Sequence, residues 1–102
     1  MQTEHITGGL AVTALWEARE GEADAVADIL ARFAPQARRE LGVRLFLVHR
    51  AIENPAQFLF YELFKDAAAF AAHQETPHFK ALILGEGLPR LNRRERVQYM
   101  PL

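Results

Sequence analysis

Two histidines flank a Thr-Pro step in the segment AAHQETPHFK and are the first candidates for chemistry, His73 and His78. On one continuous helix, a separation of five residues rotates two side chains by about 140°, whereas two ligands four residues apart point the same way. Pro77 interrupts the helix between them, and no third ligand occurs at a suitable spacing. We therefore expect no metal at this pair.

His73 is the stronger candidate for a catalytic base. It follows Phe70 by three residues on a helix whose apolar face must turn inward, which predicts a partly buried and neutral imidazole. A neutral imidazole can accept a proton, although it can equally be a structural group bonded to a backbone carbonyl. His78 lies near a predicted helix N-terminus, where a structural surface role is the simpler interpretation.

Glu62 interrupts an otherwise aromatic strand face in the segment QFLFYELFK. A buried carboxylate needs a partner or acquires a raised pKa. Two interpretations remain open: an ion pair with Arg44 or Arg50 across a hairpin, or a polar group in an apolar pocket. Tyr61 points to the opposite face, so it can share a pocket with Glu62 only if a partner chain contributes that face.

The elements that must position these residues follow the order βαββαβ. Periodicity and turn residues predict strands over residues 10–19, 43–52, 57–65 and 94–100, and helices over 22–41, 67–74 and 77–84. We expect Pro35 to kink or divide the first helix, Gly42 to cap its end and Asp66 to cap the second, with a loop at 85–89. Residues 1–9 are predicted to form a tail and residues 10–102 a single domain.

Composition narrows the class of protein. The chain has 102 residues, a formal net charge of −1 and no cysteine. The near-neutral balance argues against a nucleic-acid partner, and the absence of thiols excludes disulfides, thiolate metal centres and a cysteine nucleophile. No apolar run is long enough to span a membrane, and no basic leader precedes the first strand. We therefore expect a cytoplasmic protein without a membrane partner.

The third predicted strand is apolar on both faces, because Phe58, Phe60 and Phe64 alternate with Leu59 and Leu63. Two helices can cover only one face of a four-stranded sheet, so the other face needs a cover. We predict a symmetric homodimer whose sheets pack face to face. The alternatives are coverage by the chain ends or a tolerated exposed patch.

The segment FLFYELFKDAAAFAAHQETPHFKAL resembles the antibiotic biosynthesis monooxygenase domain family. Members of that family show a Tyr-Glu-aromatic strand, an acidic helix cap, a His and a Pro-His-aromatic-Lys segment. The matching positions here are Tyr61, Glu62, Phe64, Asp66, His73 and 77–80. The likeness extends upstream to the Trp16 strand and to residues 39–42. The sequence departs from the family at Phe64, Leu41 and Val43, where many members have Trp, Pro and Cys.

The resemblance implies an α+β fold, a ferredoxin-like antiparallel four-stranded sheet that forms a dimeric α+β barrel, with a pocket between sheet and helices. Several family members oxygenate quinols or polyphenols with O₂ and without flavin, haem or metal. The resemblance therefore predicts a cofactor-independent monooxygenase with a small-molecule substrate. His73 would then be the base that generates an electron-rich phenolate, with Tyr61 and His78 orienting it or the substrate. The expected substrate-binding residues are Trp16, Phe46, Phe60, Glu62 and Phe64.

Two other functions remain open. The same segment is also similar to isomerases of the phosphorylated autoinducer-2 signal, in which His73 and His78 would shuttle a proton. The phosphate would then be held by cations such as Lys65, Lys80, Arg90, Arg93, Arg94 or Arg96. A non-catalytic dimer that binds a small molecule is the other alternative. The haem-degrading branch fits less well, because Ile83 occupies the position of its iron-ligating histidine.

Overall fold

A computed structural model describes residues 8–102, so most of the predicted N-terminal tail lies outside the described residues. The elements are β1 (Leu10–Ala18), α1 (Ala23–Arg38), β2 (Val43–Arg50), β3 (Gln57–Phe64), α2 (Ala67–Gln74), a π-helical segment (Phe79–Gly87), a 3₁₀ turn (Leu88–Arg90) and β4 (Leu91–Tyr99). This order confirms the predicted βαββαβ arrangement. Within residues 8–102, no helix combines the length and apolarity needed to cross a membrane.

The four strands form one antiparallel sheet in the order β2-β3-β1-β4, the ferredoxin-like arrangement. In its register, Glu62 of β3 lies opposite Val12 of β1 on one side and Phe46 of β2 on the other. Since side chains of directly opposed residues share a face, all three point towards the helices. The sheet thereby brings polar Glu62 onto the same apolar face as Phe46.

Helix α1 covers this face with a buried stripe at helical spacing, formed by Val26, Ile29, Leu30, Phe33, Ala34 and Ala37. The sequence predicts that Pro35 kinks the first helix or divides it; α1 continues through Pro35 to Arg38, so the helix is not divided there. Pro35 and Ala31 are both exposed, so the carbonyl that loses its partner faces water. Helix α1 also ends before the predicted residue 41.

Gly42 has a different role from the predicted helix cap. The cap position is Arg39, and Gly42 is not among the described glycines with positive φ. A Cβ at Gly42 would instead lie 2.3 Å from the Cβ of Ala69. Glycine is therefore required here because the α1–β2 connection passes close to helix α2.

The second helical layer is built from two short pieces. Asp66 caps α2 as predicted, since its Oδ1 accepts a hydrogen bond from the Ala69 N–H at 2.8 Å. Thr76 joins the two pieces, because its Oγ1 donates to the His73 carbonyl at 2.9 Å and accepts from the Phe79 N–H at 3.2 Å. The loop predicted at 85–89 is wrong: these residues continue the π-helical segment and the 3₁₀ turn. Strand β4 begins at Leu91, three residues earlier than predicted.

The two faces of the sheet differ in coverage. The helices bury the face that carries Trp16, Phe46 and Phe60, which form the main core with α1 and the π-helical segment. On the opposite face several large apolar side chains remain exposed, namely Leu47, Leu59, Val97 and Tyr99. The sheet is thus covered by helices on one side only, as the prediction of two helical layers against four strands requires.

Candidate active site between the sheet and the helices

His73 is the most enclosed polar group of the described chain, with 1% of its surface exposed. It lies in the last turn of α2, and aromatic rings surround its imidazole. Ring centres lie 5.2 Å away for Phe64 and Phe79, 5.8 Å for Phe33 and 5.9 Å for Phe46. The histidine therefore occupies an aromatic environment in which a charged imidazolium is disfavoured.

Glu40 holds this imidazole from the α1–β2 connection. The His73 Nδ1 lies 3.0 and 2.9 Å from the two carboxylate oxygens of Glu40. The Nε2 of His78 lies 2.7 Å from Oε2 of the same carboxylate. A carboxylate only accepts hydrogen bonds, so Nδ1 of His73 carries the proton in the neutral ring. The other nitrogen, Nε2, is thereby left as a proton acceptor.

Glu62 faces that second nitrogen. Its Oε1 lies 3.8 Å from Nε2 of His73, and only 6% of the residue is exposed. Burial raises the pKa of Glu62 to about 7, against the opposing charges of Arg96 and Arg94. Burial also lowers the pKa of His73, although Glu40 opposes this. Near neutral pH the site therefore combines a neutral imidazole with a carboxyl group close to half protonation.

Among the described residues, Glu62 forms no ion pair with Arg44 or Arg50. The first of the two interpretations from sequence therefore does not hold. Arg50 instead bonds Asp24 at 2.9 Å and the Pro55 carbonyl at 2.7 Å. The sheet register explains this, because Arg50 lies opposite Phe58, four residues from Glu62 along β3. The structure thus agrees with the second interpretation, a polar group within an apolar pocket.

A pocket beside these groups is walled by aromatic side chains, with Trp16, Phe46 and Phe60 from the sheet and Phe79 from the π-helical segment. Its enclosed volume is about 20 Å³. That space holds roughly one water molecule. A ring-sized ligand therefore enters only when side chains of the wall move outward.

A wider groove of about 300 Å³ lies elsewhere, between α1 and the edge strand β2. Its lining includes His49 and Arg50 but none of the buried acid–base groups. We take the small pocket as the candidate active site because perturbed titratable groups and aromatic walls converge there.

The structure brings together most of the residues singled out from sequence. The residues of that set that line the pocket are Trp16, Phe46, Phe60, Glu62 and His73. Phe64 packs against the His73 ring from outside the lining. Tyr61 lies on the opposite face of the sheet, opposite Thr13 and Leu47. His78 does not line the pocket; it bonds Glu40, and its ring centre lies 5.7 Å from that of Phe33, a lining residue.

Sequence reasoning missed Glu40. This residue is 33 positions from His73 and 38 from His78, so no local spacing connects them. The interpretation of His73 as bonded to a backbone carbonyl is also replaced, since a carboxylate is its partner. The available signals were an acidic residue at the end of an amphipathic helix and a family likeness that includes residues 39–42, and neither assigns Glu40 a role. Among residues 8–102, no group of three or more potential ligands is arranged to hold a metal ion.

A ferredoxin-like sheet with helices on one face and a carboxylate-bound histidine in an aromatic pocket defines a small α+β domain with an enclosed site. The family model described as antibiotic biosynthesis monooxygenase matches residues 9–83, and the chain belongs to that family. The match ends before β4. No curated protein matches the chain.

Solved structures agree with this fold. The Pseudomonas aeruginosa protein PA3566 is 27% identical, with 96% of this chain and 98% of that chain covered at a TM-score of 0.85. A conserved Methanosarcina mazei protein is 18% identical over 99% and 100% of the two chains, with a TM-score of 0.89. A protein described as an antibiotic biosynthesis monooxygenase is 21% identical over 91% and 98%, with a TM-score of 0.85.

Proposed function

We propose that this protein is a cofactor-independent monooxygenase that oxidises a quinol or polyphenol with O₂. One observation carries the proposal: His73 is buried and neutral, its Nδ1 is held by Glu40, and its free Nε2 faces an aromatic pocket. A base in this form can remove a phenolic proton at neutral pH. The family name and the similarly named structural neighbour agree with oxygen chemistry.

The proposed reaction begins when Nε2 of His73 takes the proton of a substrate hydroxyl. The phenolate then passes one electron to O₂, and the two radicals combine to form a peroxide on a ring carbon that bears hydrogen. His73 returns its proton to this peroxide. Loss of water leaves a new carbonyl oxygen on the substrate. Because the substrate supplies all four electrons, the reaction needs no external reductant.

The surroundings of His73 favour this sequence. The pocket walls exclude water, which otherwise stabilises the phenol and protonates the peroxide prematurely. The carboxylate of Glu40 stabilises the imidazolium that forms after proton transfer. His78 bonds the same carboxylate and so orients His73 indirectly. The pocket must widen for a ring to bind, and its aromatic side chains then become the walls that hold it.

We further propose that the protein acts as a cytoplasmic homodimer. Supporting this assembly, Leu59 and Leu47 lie on neighbouring strands of the uncovered sheet face and are 47% and 37% exposed. A second copy packed through the same face would bury them, as the hydrophobic effect favours. Tyr61 lies on this face, so its proposed catalytic role requires the partner chain.

A second candidate is the isomerisation of a phosphorylated diketone. Its supporting observation is that two cations, Arg94 and Arg96, line the pocket beside His73. A phosphate at these arginines would place adjacent carbons of a bound ligand near Nε2 of His73, which could then move a proton between them. A dimer that binds such a ligand without turnover is the remaining alternative.

A panel experiment distinguishes these functions. Oxygen uptake is measured with several quinols, and isomerisation is followed with a phosphorylated diketone, using wild type and His73→Ala in parallel. The monooxygenase proposal predicts oxygen uptake with at least one quinol and a loss of about 10²-fold or more in His73→Ala. Isomerisation without oxygen uptake would replace it with the second candidate. Ligand binding without either turnover would favour the binding dimer.

A further inference from the structure

Strand β4 places two arginines over the active-site pocket. Arg94 lies opposite Trp16 and Arg96 opposite Ala14, so both side chains point to the face that the helices cover. Both line the pocket together with Glu62. They are also the exposed members of the lining, since its other residues are buried. The two guanidinium groups therefore form the solvent side of the pocket, which an entering ligand passes.

Neither arginine has a carboxylate at ion-pair distance in the part of the chain that the structure describes. Other arginines of the same region do: the Nε of Arg90 lies 3.1 Å from a carboxylate oxygen of Glu22, and Arg93 pairs with Glu95 on the opposite face of β4. The Arg96 guanidinium lies 5.2 Å from the centre of the Phe70 ring, a cation–π contact. Two like charges thus lie side by side on one strand face without an ion-paired anion.

The pocket itself supplies little compensation for these charges. Burial and the charge of Arg96 lower the pKa of Arg94, whereas Glu62 opposes the shift. Glu62 is the acidic group in the lining, and near neutral pH it is only partly ionised. Two permanent cations and one partial anion leave the pocket mouth positive. An anionic group on a ligand would neutralise this excess.

Guanidinium groups present parallel N–H donors that match two oxygens of either a carboxylate or a phosphate. The pocket volume of only about 20 Å³ favours the smaller of these anions, the carboxylate. The aromatic walls behind the arginines suit a flat ring. We propose that the substrate of this site is an aromatic carboxylate, whose carboxylate binds Arg94 and Arg96 while its ring lies between the aromatic walls. The inference rests on the proposed function for the ring chemistry, but the binding claim can be tested without turnover.

The experiment compares two ligands of nearly the same shape, the anionic 2,5-dihydroxybenzoate and the neutral 2,5-dihydroxybenzamide, in which one carboxylate oxygen is replaced by an NH₂ group. Both are titrated into the full chain without oxygen by calorimetry at pH 7.5. Trp16 is the single tryptophan and lines the pocket, so absorbance-corrected quenching of its fluorescence reports whether the ligand occupies this site. We expect the benzoate to bind about tenfold or more tightly than the benzamide and to quench Trp16.

Three variants test whether Arg94 and Arg96 cause the preference for the benzoate over the benzamide. In Arg94→Gln and in Arg96→Gln, the ratio of the two dissociation constants should fall to about twofold or less, because one partner of the carboxylate is lost. Arg93→Gln is the matched control on the opposite face of β4 and should keep the wild-type ratio. Thermal unfolding of each variant checks that the fold is retained.

Several results would overturn the inference: equal binding of the two ligands to wild type, no binding of the benzoate, or a preference that survives in both Arg94→Gln and Arg96→Gln. Oxygen uptake with neutral quinols but without a charge preference would contradict this inference and leave the proposed function in place. A charge preference without oxygen uptake from any quinol would support this inference and contradict the proposed function.

Discussion

Glu40 accepts hydrogen bonds from two histidines, at 2.9 Å from His73 Nδ1 and 2.7 Å from His78 Nε2. The contact has two consequences for His73. It fixes the neutral ring with its proton on Nδ1, and it satisfies a polar atom that has almost no access to water. The proposed basicity of Nε2 therefore depends on a residue that does not line the pocket.

Removing that carboxylate by Glu40→Ala should change the tautomer of His73 and lower activity. ¹⁵N chemical shifts of His73 should show the Nδ1–H form in wild type and a mixture in the variant. Oxygen uptake should fall by about 10- to 100-fold, as is usual when an orienting partner is lost. Glu75→Ala is a matched control, since Glu75 is exposed and pairs with exposed Lys80 at 3.3 Å. An unchanged His73 tautomer in Glu40→Ala would contradict this account.

Glu62 makes stability depend on pH. Its pKa is raised to about 7 in the folded chain from an ordinary value of 4.5. Between these values the unfolded chain loses the proton first, so the contribution of Glu62 to stability is present below pH 4.5 and is lost as pH rises through 7. Glu62→Gln does not titrate and should not show this loss.

Between pH 4 and pH 8, wild type should therefore lose about 2–3 kcal/mol of unfolding free energy relative to Glu62→Gln. Urea denaturation at several pH values measures it, and the change with pH cancels any constant effect of the substitution. A difference that does not vary with pH would show that Glu62 titrates normally in the folded protein.

At the scale of elements, the π-helical segment forms one wall of the pocket and packs closely against the sheet. A Cβ at Gly87 would lie 3.0 Å from Cη2 and 3.2 Å from Cζ3 of Trp16, and 3.3 Å from the Leu82 carbonyl oxygen. The backbone of Gly87 is right-handed helical, so alanine there is limited by space and not by conformation. The segment can approach Trp16 because residue 87 has no side chain.

Gly87→Ala and Gly85→Ala form a matched pair in this segment. A Cβ at Gly85 meets only the Lys80 carbonyl oxygen at 3.4 Å, an ordinary contact. We expect Gly87→Ala to be less stable than Gly85→Ala by about 1–3 kcal/mol and to shift Trp16 fluorescence, because the added methyl group displaces the indole. Chemical denaturation and emission spectra measure both effects. Equal stability and unchanged emission in both variants would contradict the close packing.

Sequence predicted the elements best where a pattern is local. The helical stripe of α1, the alternating β3 strand and the Asp66 cap all depend on neighbouring residues and are confirmed. The segment 85–89 was predicted as a loop because glycine and proline punctuate it, whereas Gly87 ends the π-helical segment and its backbone lies close to Trp16. Tertiary packing there overrides local propensity.

The candidate site was predictable only in part for the same reason. His73, Glu62 and the aromatic walls follow from periodicity, which shows that they face inward. The carboxylate that binds His73 and the arginines that close the pocket come from distant elements. Only the sheet register and the position of the α1–β2 connection place them beside His73.

At the scale of the whole molecule, the uncovered sheet face sets the proposed assembly. Leu59→Lys places a charge on this face and should dissociate the dimer, because burying an unpaired ammonium group is costly. Light scattering should give a mass near twice 11.6 kDa for wild type and near 11.6 kDa for the variant at micromolar concentration.

Leu41→Lys is the matched control, since Leu41 is fully exposed and lies off the sheet, in the α1–β2 connection. This variant should keep the wild-type mass. A wild-type protein that is monomeric at micromolar concentration would contradict the proposed dimer, and with it the requirement that Tyr61 acts through a partner chain.

The central claim is that His73 initiates transfer of one oxygen atom from O₂ to a phenolic substrate. The most direct measurement is mass spectrometry of the product formed from a reactive quinol under ¹⁸O₂, with wild type, His73→Gln and His49→Gln. His49 is an exposed histidine outside the pocket and serves as the control. We predict one ¹⁸O atom per product molecule in wild type and His49→Gln, with a rate about 10²-fold or more lower in His73→Gln. Product without ¹⁸O, or labelled product formed equally fast by His73→Gln, would contradict the account.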